Sequence, residues 1–393
     1  MGPVLAMAAK DLRLLVRDRM GFFFVFFFPT LYAIFFGFIG SAMRGGGDEG
    51  LPALAVIVVD SDGTEGSKAF VDRLDAAPEL NVLRLASRDE AQDRVRGGKS
   101  PAYVVLKPGF GEGMKPVLGG EPPEVELGVD PSRAAESAML RGLLTKHTSE
   151  RFFALAESFG FGSGGAADDE NPSFESVRVD LIEVSDENRG QEINPWAISF
   201  PQGIVWGLMG AALGFAIGLV VERRQGTLAR LQMSPVGSRR ILAGKAVACF
   251  VSAVGVTVVL LLLGVVAFGI RPSSYVTLAL AVVSTAACFV GLMMFFSVLG
   301  RTEAAASGIG WASMCVMAML GGGMVPLVFL QRVPFLSALS HVSPVKRSIL
   351  ALEGALWRGF SVAEMAVPCI VLLAMGAGAF GIGVMLFRRL EST

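Results

Sequence analysis

The sequence predicts an α-helical polytopic membrane protein with six transmembrane helices, cytosolic N- and C-termini and an inserted α/β extracytoplasmic domain. Three observations predict this fold class: six long intervals without charged residues, an uneven placement of Lys and Arg, and one strongly acidic interval. The 393-residue chain is 52% hydrophobic and only 18% charged. This composition suits a chain that meets lipid over much of its length.

Each of the six uncharged intervals is 23 to 29 residues long. About 20 apolar residues cross a bilayer as a helix, and the lipid core offers the backbone no water, so each interval must form a helix. The uncharged intervals are 20–43, 193–221, 246–270, 272–300, 304–331 and 365–387. The spans predicted within them are 20–41, 196–221, 246–269, 276–299, 304–326 and 366–387.

The N-terminal residues 1–19 predict a basic amphipathic helix, because apolar residues recur at helical spacing while Lys10, Arg13 and Arg17 take other positions. This helix is expected at the cytosolic headgroups. Pro29 lies within the first span, where its missing N–H predicts a kink.

Basic residues set the orientation of the spans. With a cytosolic N-terminus, the segments 1–19, 222–245, 300–303 and 388–393 hold 13 basic residues, whereas the short outer loops hold five. The excess of Lys and Arg marks the cytosolic side, so both termini are predicted to be cytosolic. The apolar stretch from Met20 is interpreted as an uncleaved first span, since it is longer than a signal-peptide core.

The domain predicted at 42–195 is acidic and water-facing. Between Arg44 and Glu192 there are 16 basic and 28 acidic residues, which argues against nucleic-acid binding. Its strands and helices alternate, and this alternation predicts a small α/β domain of four or five strands. Strands are predicted at 54–59, 81–85, 102–106, 124–129 and 174–184, helices at 67–74, 88–96 and 132–159, and a Gly-rich loop at 160–171.

The sequence shows no pattern typical of a disulfide framework, a metal site or an ATP-binding phosphate loop. The four cysteines each fall in a different span, and the two histidines have no neighbours at metal-ligand spacing. Gly98-Lys99-Ser100 resembles the end of a phosphate loop, but position 93 is Asp where that loop needs Gly. Gly244-Lys245-Ala246 fails in the same way, so no ATP site is predicted in this chain. Asp60 and Asp62 could hold a cation, but Asp is also common in turns, which is the preferred interpretation.

The cytosolic loop 222–245 combines basic charge with helix signals. Gly226 permits a sharp bend, Thr227 is predicted to cap a short helix, and Ser234-Pro235 ends it. A second short helix is expected to begin at Ser238. Composition alone would also fit a positively charged inner loop without any partner.

The pattern Glu222-Arg223-x-x-Gly226-Thr227-Leu228-x-Arg230-Leu231-x-x-Ser234-Pro235 resembles the coupling-helix motif of ABC-2 type transporter permeases. Lys10-Asp11-Leu12, before the first span, is similar to that family's N-terminal connecting helix. The stretch 102–110 resembles the strand and Pro-Gly-Phe turn of the subgroup with a large external domain. The outer segment 327–364, broken by Pro334 and by Ser343-Pro344, resembles its re-entrant helices. Together these features cover nearly the whole chain.

The resemblance implies a permease subunit that assembles with a second copy or paralogue and with separate ATPases, in the cell membrane of a prokaryote. ATP and magnesium are expected on the partner ATPase, and no cofactor is expected in this chain. Gly226 and Pro235 would shape the coupling segment, the leucines would dock, and Glu222 and Arg230 would pair with charges on the ATPase. The predicted coupling residues are Glu222, Arg223, Gly226, Thr227, Leu228, Arg230, Leu231, Ser234 and Pro235.

Two other classes of function are compatible with the spans. An ion-coupled secondary transporter would place charged relay residues at membrane depth, but Glu303, Glu353 and Glu364 lie at predicted ends or in loops. A receptor or scaffold would use the external domain to bind a partner, with the spans as its anchor. The sequence leaves the transported substrate open, although sparse intramembrane charge suits an apolar or amphipathic one.

Overall fold

The structure, a computed structural model, describes residues 3–17, 54–113, 123–158, 178–184, 194–233, 237–300, 302–322, 338–340 and 343–391. The chain divides into a membrane-helix unit, which holds Asn194–Thr393 and the N-terminal residues, and a sheet unit, Gly40–Ser185 with Gln191–Ile193. The predictions for the first span with Pro29 and for the loop 160–171 lie outside the described residues.

The helices and strands are numbered in chain order. They are α1 (Pro3–Arg17), β1 (Leu54–Asp60), α2 (Glu65–Ala76), β2 (Leu80–Leu85), α3 (Arg88–Arg96), β3 (Ala102–Leu106), the single turn α4 (Phe110–Gly113), β4 (Glu124–Val129), α5 (Ala134–Ser158), β5 (Arg178–Glu183), α6 (Pro195–Arg224), α7 (Thr227–Gln232), α8 (Ser238–Phe268), α9 (Tyr275–Leu299), α10 (Glu303–Leu320), α11 (Pro344–Leu356) and α12 (Val362–Glu391).

The sheet unit contains a five-stranded sheet in the order β2-β1-β3-β4-β5. Strand β1 runs parallel to β2 and β3, β4 runs antiparallel to β3, and β5 runs parallel to β4. Leu54 and residues 56–59 of β1, and all of β3, are buried, which explains why both strands read as continuous apolar runs. The predictions for α3, β3 and β4 match the structure residue for residue, and the predicted helix 132–159 begins instead with a 3-10 turn at Pro131–Arg133.

Asp62 closes the loops that follow β1 and β3. Its carboxylate accepts hydrogen bonds from the backbone N–H groups of Gly109 at 2.7 Å and Gly111 at 2.9 Å, and from the Thr64 hydroxyl. Burial opposes the charge, but these donors outweigh that effect and hold the pKa of Asp62 below its ordinary value. Asp60 similarly accepts from the N–H groups of Asp62 and Gly63, so both carboxylates act as turn residues.

Among the described residues, four helices of the membrane-helix unit are long and apolar enough to cross a bilayer: α6, α8, α9 and α12. Residues 323–326 of the predicted fifth span, 304–326, lie outside the described residues, and α10 ends at Leu320. There Gly322 adopts a left-handed φ of 77°, and Gly321 lies against Val345 of α11 too closely for a side chain. The apolar part of α10, Ala305–Leu320, is therefore shorter than α6, α8, α9 and α12.

Polar caps join the helices at one end of this unit. The side chain of Asn194 accepts from the Trp196 N–H at the start of α6 and donates to the Phe268 carbonyl at the end of α8, at 2.6 Å. Ser273 donates through its backbone N–H to the Ala355 carbonyl of α11. Helix ends that would otherwise be unsatisfied are thus bonded to neighbouring elements.

A buried ion pair lies at the end of α11. The guanidinium of Arg358 contacts the Glu353 carboxylate at 2.7 Å and 2.9 Å, and both side chains are almost fully buried. Arg358 also lies over the ring of Trp357, 4.3 Å from its centroid. Each charge is therefore neutralised within the chain.

Glycines allow α9 and α12 to pack with their backbones in contact. A Cβ added at Gly376 of α12 would lie 2.7 Å from the Cα of Cys288 on α9, and one at Gly383 would lie 2.7 Å from the backbone of Met294. A Cβ at Gly291 would overlap the Gly376 carbonyl. Small residues support such close approach in membrane helices, where van der Waals packing replaces the hydrophobic effect as the driving force.

This packing makes Gly376→Ala destabilising, because the new methyl group must displace the α9 backbone at a cost of about 1–3 kcal/mol. The matched change is Gly378→Ala on the same helix, where a Cβ meets no atom within 4 Å. That change should be neutral or stabilise by up to about 1 kcal/mol through helix propensity. Thermal unfolding of the purified protein in detergent measures both, and equal midpoints would contradict the close packing of α9 and α12.

Candidate functional site

The predicted coupling segment forms a short helix between two long ones. Helix α6 continues to Arg224, and Gly226 then adopts a φ of 69°, in the left-handed region that favours glycine. Helix α7 follows directly, and Gly237, at a φ of 73°, precedes α8. The bend predicted at Gly226 is confirmed, whereas Ser234 and Pro235 lie outside the described residues.

Two local predictions are wrong. Thr227 does not cap α7, because Gly226 occupies the cap position and the Thr227 hydroxyl donates back to the Glu222 carbonyl at 3.0 Å. The helix that begins at Ser238 is not short, since α8 runs without a break to Phe268. No proline or glycine-induced turn interrupts 238–268, so the helix predicted at Ser238 and the third span form one continuous helix.

The inner face of α7 packs into a small apolar cluster. Leu228 is only 3% exposed and Leu231 is half-buried. The cluster also contains Leu219 of α6, Ile241 and Leu242 of α8, Met294 of α9, Phe387 of α12 and Met7 of α1. The leucines predicted to dock on a partner therefore fix α7 to four helices of its own chain and to α1.

Four alternating charges form a closed ring beside this cluster, called the charge ring below. The Lys10 ammonium contacts Asp11 at 3.1 Å and Glu222 at 3.1 Å. The Lys245 ammonium contacts Asp11 at 3.2 Å and Glu222 at 2.8 Å. Because each charge touches two of opposite sign, the ring is neutral and joins α1, the end of α6 and the start of α8.

Three of the four side chains of the charge ring are largely withdrawn from water, whereas that of Lys10 is 43% exposed. The side chains of Lys245 and Asp11 are each 7% exposed, and that of Glu222 is 16% exposed. Burial opposes the charge of Lys10, but hydrogen bonds and charges from Asp11 and Glu222 outweigh it and raise the pKa of Lys10. Glu222 thus contacts two lysines of its own chain, which differs from its predicted pairing with an ATPase.

Sequence reasoning missed Lys245 as a member of this site. Its residue type and position were considered only as part of a failed phosphate-loop motif, Gly244-Lys245-Ala246. The available signal was a lone lysine in the first turns of an apolar helix, where an unpaired charge would be costly. Its partner Asp11 lies 234 residues away, a distance that no local pattern spans.

Arg223 ties the site to the loop after α9. Its Nη2 donates to the Gly300 carbonyl at 2.9 Å. Gly300 is closely packed against Ala306 at the start of α10, where Thr302 caps the helix by accepting from the Ala305 N–H. The ends of α6 and α9 and the start of α10 therefore meet on the side where α7 lies.

The outer face of α7 and of the residues on either side of it is exposed and basic, and it carries one exposed methionine. Met233 is 88% exposed, the largest exposed fraction among the exposed large apolar side chains of the described residues. The exposed arginines around the segment are Arg224, Arg230, Arg239 and Arg240. This set, the outer arginine–methionine face, includes one predicted coupling residue, Arg230.

The charge ring lacks the features of a metal site or a phosphate loop. Among the described residues, no group of three or more His, Cys, Asp or Glu side chains is arranged to hold a metal ion. The ammonium of Lys245 is neutralised by two carboxylates, so it does not offer the free charge that a phosphate loop provides. The arrangement is suited to holding helices together and presenting a surface.

The ring predicts that Lys245→Met destabilises the protein by about 3 kcal/mol, because two nearly buried carboxylates would share the single remaining ammonium. Arg240→Met removes the same charge from an exposed position on the same helix and should change stability by less than about 0.5 kcal/mol. Urea or thermal unfolding in detergent compares the two. A similar loss of stability for both variants would show that the ring is not a stabilising contact.

Comparison with known proteins identifies the family to which the chain belongs. The profile of the ABC-2 family transporter proteins matches residues 19–385. The chain is also 23% identical over 405 residues to the linearmycin resistance permease protein of Bacillus subtilis (strain 168), an alignment that covers 99% of this chain and 100% of that protein. The family match spans both units, so the protein belongs to the ABC-2 family of transporters and is a membrane permease.

Proposed function

We propose that this chain is the permease subunit of an ATP-driven exporter, which forms the transmembrane pathway and receives mechanical work from a separate ATPase at α7. The observation that supports this proposal most is the two-sided construction of α7. Its inner face is buried among four long helices and α1, and its outer face presents arginines and Met233. A partner that pushes the outer face would move the helices behind it.

The outer arginine–methionine face is suited to a cleft on a protein. Met233 is a flexible apolar side chain that can fill an irregular pocket, and such side chains are enriched at adaptable binding surfaces. The surrounding arginines favour an acidic rim on the partner and speed its association. Predicted contacts of Arg230 with the ATPase are retained in this proposal, whereas Glu222 and Leu228 act behind the surface.

Polar contacts, in addition to the apolar cluster, connect α7 to the long helices against which its inner face packs. Thr227 donates to the Glu222 carbonyl, and the Glu222 carboxylate belongs to the charge ring. Arg223, the next residue, bonds the loop after α9. Displacement of α7 would therefore reach α6, α8 and α9 as rigid-body motion of helices.

The proposal includes six spans with both termini in the cytosol of a prokaryotic cell. In support, the ends of α6, α9 and α12 gather with α1 and the start of α8 around α7, as the charge asymmetry requires. The opposite ends of α6 and α8 meet at Asn194 and Phe268. A first span in 20–41 would then place the sheet unit, which follows it in the chain, on the extracytoplasmic side.

The assembly proposed is two permease copies or paralogues with two ATPases, in contact with membrane lipid. Exposed apolar side chains on α8, α9, α10 and α12 offer surfaces for lipid and for a second permease. ATP and magnesium would be bound by the ATPase. The substrate proposed is apolar or amphipathic, and a candidate comes from the similar Bacillus subtilis protein, whose name describes resistance to linearmycin.

The buried charges do not favour ion-coupled transport. Among the described residues of the membrane-helix unit, the buried ionised groups are Asp11, Lys245, Glu353 and Arg358. Each has an opposite charge within 3.2 Å. Lys245 lies in the first turns of α8 and Glu353 in the last turn of α11, whereas Asp11 lies on α1, outside the apolar helices. A proton or ion relay would need a charged group that can change its state within the spans.

Docking at α7 is tested by Met233→Asp combined with Arg230→Glu. Both side chains are exposed, so the protein should fold normally while its affinity for the ATPase falls at least tenfold, since acidic groups would face an acidic rim. A pull-down titration between the detergent-solubilised permease and a candidate partner ATPase, sought among the neighbouring genes, measures the affinity.

The matched control for docking is Arg141→Glu, which reverses an exposed charge in the sheet unit. It should leave ATPase affinity unchanged. Leu228 is not used, because a polar residue there would disturb the inner cluster and confuse docking with folding. Unchanged affinity in the Met233/Arg230 double variant would contradict the assignment of this face.

Export is tested by expressing the permease with the same candidate ATPase in a sensitive bacterium. Tolerance should rise for linearmycin or for another compound in a panel of amphipathic lipids, drugs and peptides. A variant of the ATPase that lacks its phosphate-loop lysine serves as the control and should abolish the gain, because the proposal assigns ATP binding and hydrolysis to the ATPase. Tolerance that persists with the inactive ATPase would contradict an ATP-driven exporter.

A further inference from the structure

We propose that Lys10, Asp11 and Lys245 are positioning residues for coupling: the charge ring makes α1, the end of α6 and the start of α8 one body that moves with α7. This inference rests on the proposed function, since it assumes that an ATPase displaces α7. It adds α1 to the helices that move with α7, and it assigns a role to three residues outside the coupling segment.

The ring attaches α1 at two points rather than one. Lys10 and Asp11 are adjacent in the chain, and together they contact Glu222 of α6 and Lys245 of α8. A single ion pair could act as a pivot about which a helix turns. Two attachments to two different helices remove that freedom, so α1 must follow α6 and α8.

Close backbone packing acts beside the ring. A Cβ added at Gly244, next to Lys245, would lie 2.9 Å from the Met7 Cβ and 3.2 Å from the Val4 carbonyl oxygen. Helix α1 thus lies directly against α8, with Ala8 only 4% exposed. Only a glycine at this position lets the Lys245 ammonium and the Asp11 carboxylate meet without moving α1.

The ring is joined to α7 by both polar and apolar contacts. The Thr227 hydroxyl at the start of α7 bonds the backbone carbonyl of Glu222, a ring member. Met7 of α1 packs on the same apolar cluster as Leu228 of α7. Force on α7 therefore has two short routes to α1, one through Glu222 and one through the cluster.

The test measures two distances by pulsed electron resonance in the reconstituted permease–ATPase complex. Spin labels at Ala6 and Ala229, both exposed, report α1 relative to α7. Labels at Ala6 and Val362, exposed at the start of α12, report α1 relative to the far end of the bundle. Cys315 is replaced by serine because it is the exposed native cysteine among the four described, and samples are compared without nucleotide and with ATP plus vanadate.

In the unmodified ring, ATP should leave the Ala6–Ala229 distance unchanged and shift the Ala6–Val362 distance by about 2 Å, since α1 moves with α7. The double variant Asp11→Asn with Lys245→Gln removes one charge of each sign and should reverse this pattern. Its Ala6–Ala229 distance should then shift with ATP, while the Ala6–Val362 distance stays constant.

Matched variants separate positioning from mere stability. Lys245→Arg retains the charge and should keep the pattern of the unmodified protein. Arg13→Gln removes an exposed charge of α1 outside the ring and should also keep it. If the double variant does not accumulate, Gly244→Val keeps all four charges but drives α1 away from α8, and it should give the same reversal.

The inference is wrong if, in the double variant or in Gly244→Val, ATP still shifts only the Ala6–Val362 distance. A different result identifies failure of the proposed function instead. If the unmodified complex binds the ATPase but ATP shifts neither distance, or if no complex forms, α7 does not receive work from an ATPase. The two failures therefore have distinct signatures.

Discussion

The charge ring of Lys10, Asp11, Glu222 and Lys245 is the interaction on which the α7 end of the membrane-helix unit depends. Apolar helix faces in lipid pack with many similar registers, because sliding one smooth face along another changes little free energy. Ionised groups that leave water have few acceptable positions, since each needs its opposite charge at contact distance. The ring therefore selects one register for α1, α6 and α8, and with them the place of α7.

Close glycine packing plays the corresponding part along the length of the bundle. Gly376 and Gly383 of α12 bring its backbone against α9, where a methyl group would already be too large. The charge ring fixes the position of helices at one end, and the glycines fix their separation along the axis. Helices constrained in both ways pass a displacement of α7 on to one another rather than sliding past one another.

The α7 segment combines two kinds of surface that the sequence motif does not distinguish. Leu228 and Glu222 belong to the inner side, where they are held by the cluster and the ring. Arg230 and Met233 belong to the outer side and meet solvent. The motif thus contains residues that join the segment to the protein and residues that are free to meet a partner, and a substitution has different consequences on each side.

Much of the architecture was predictable, because its causes lie close together in the chain. The long uncharged intervals predicted α6, α8, α9 and α12, and alternation predicted strands such as β3 and β4 to the residue. Gly226 was recognised as a bend, because only its own backbone freedom is involved. The end of α10 was not predictable, since it depends on the approach of Val345 to Gly321.

The sequence by itself predicted that the chain spans a membrane, that its basic loops favour the cytosolic side, and that a bend at Gly226 precedes a short helix. These follow from local hydropathy, charge and backbone preference. Only the tertiary structure decided that Leu228 faces inward, that Glu222 pairs with Lys10 and Lys245, and that Met233 faces outward. The reason is physical: burial and ion pairing depend on which distant segment arrives, and Asp11 reaches Lys245 only after helices 234 residues apart have packed together.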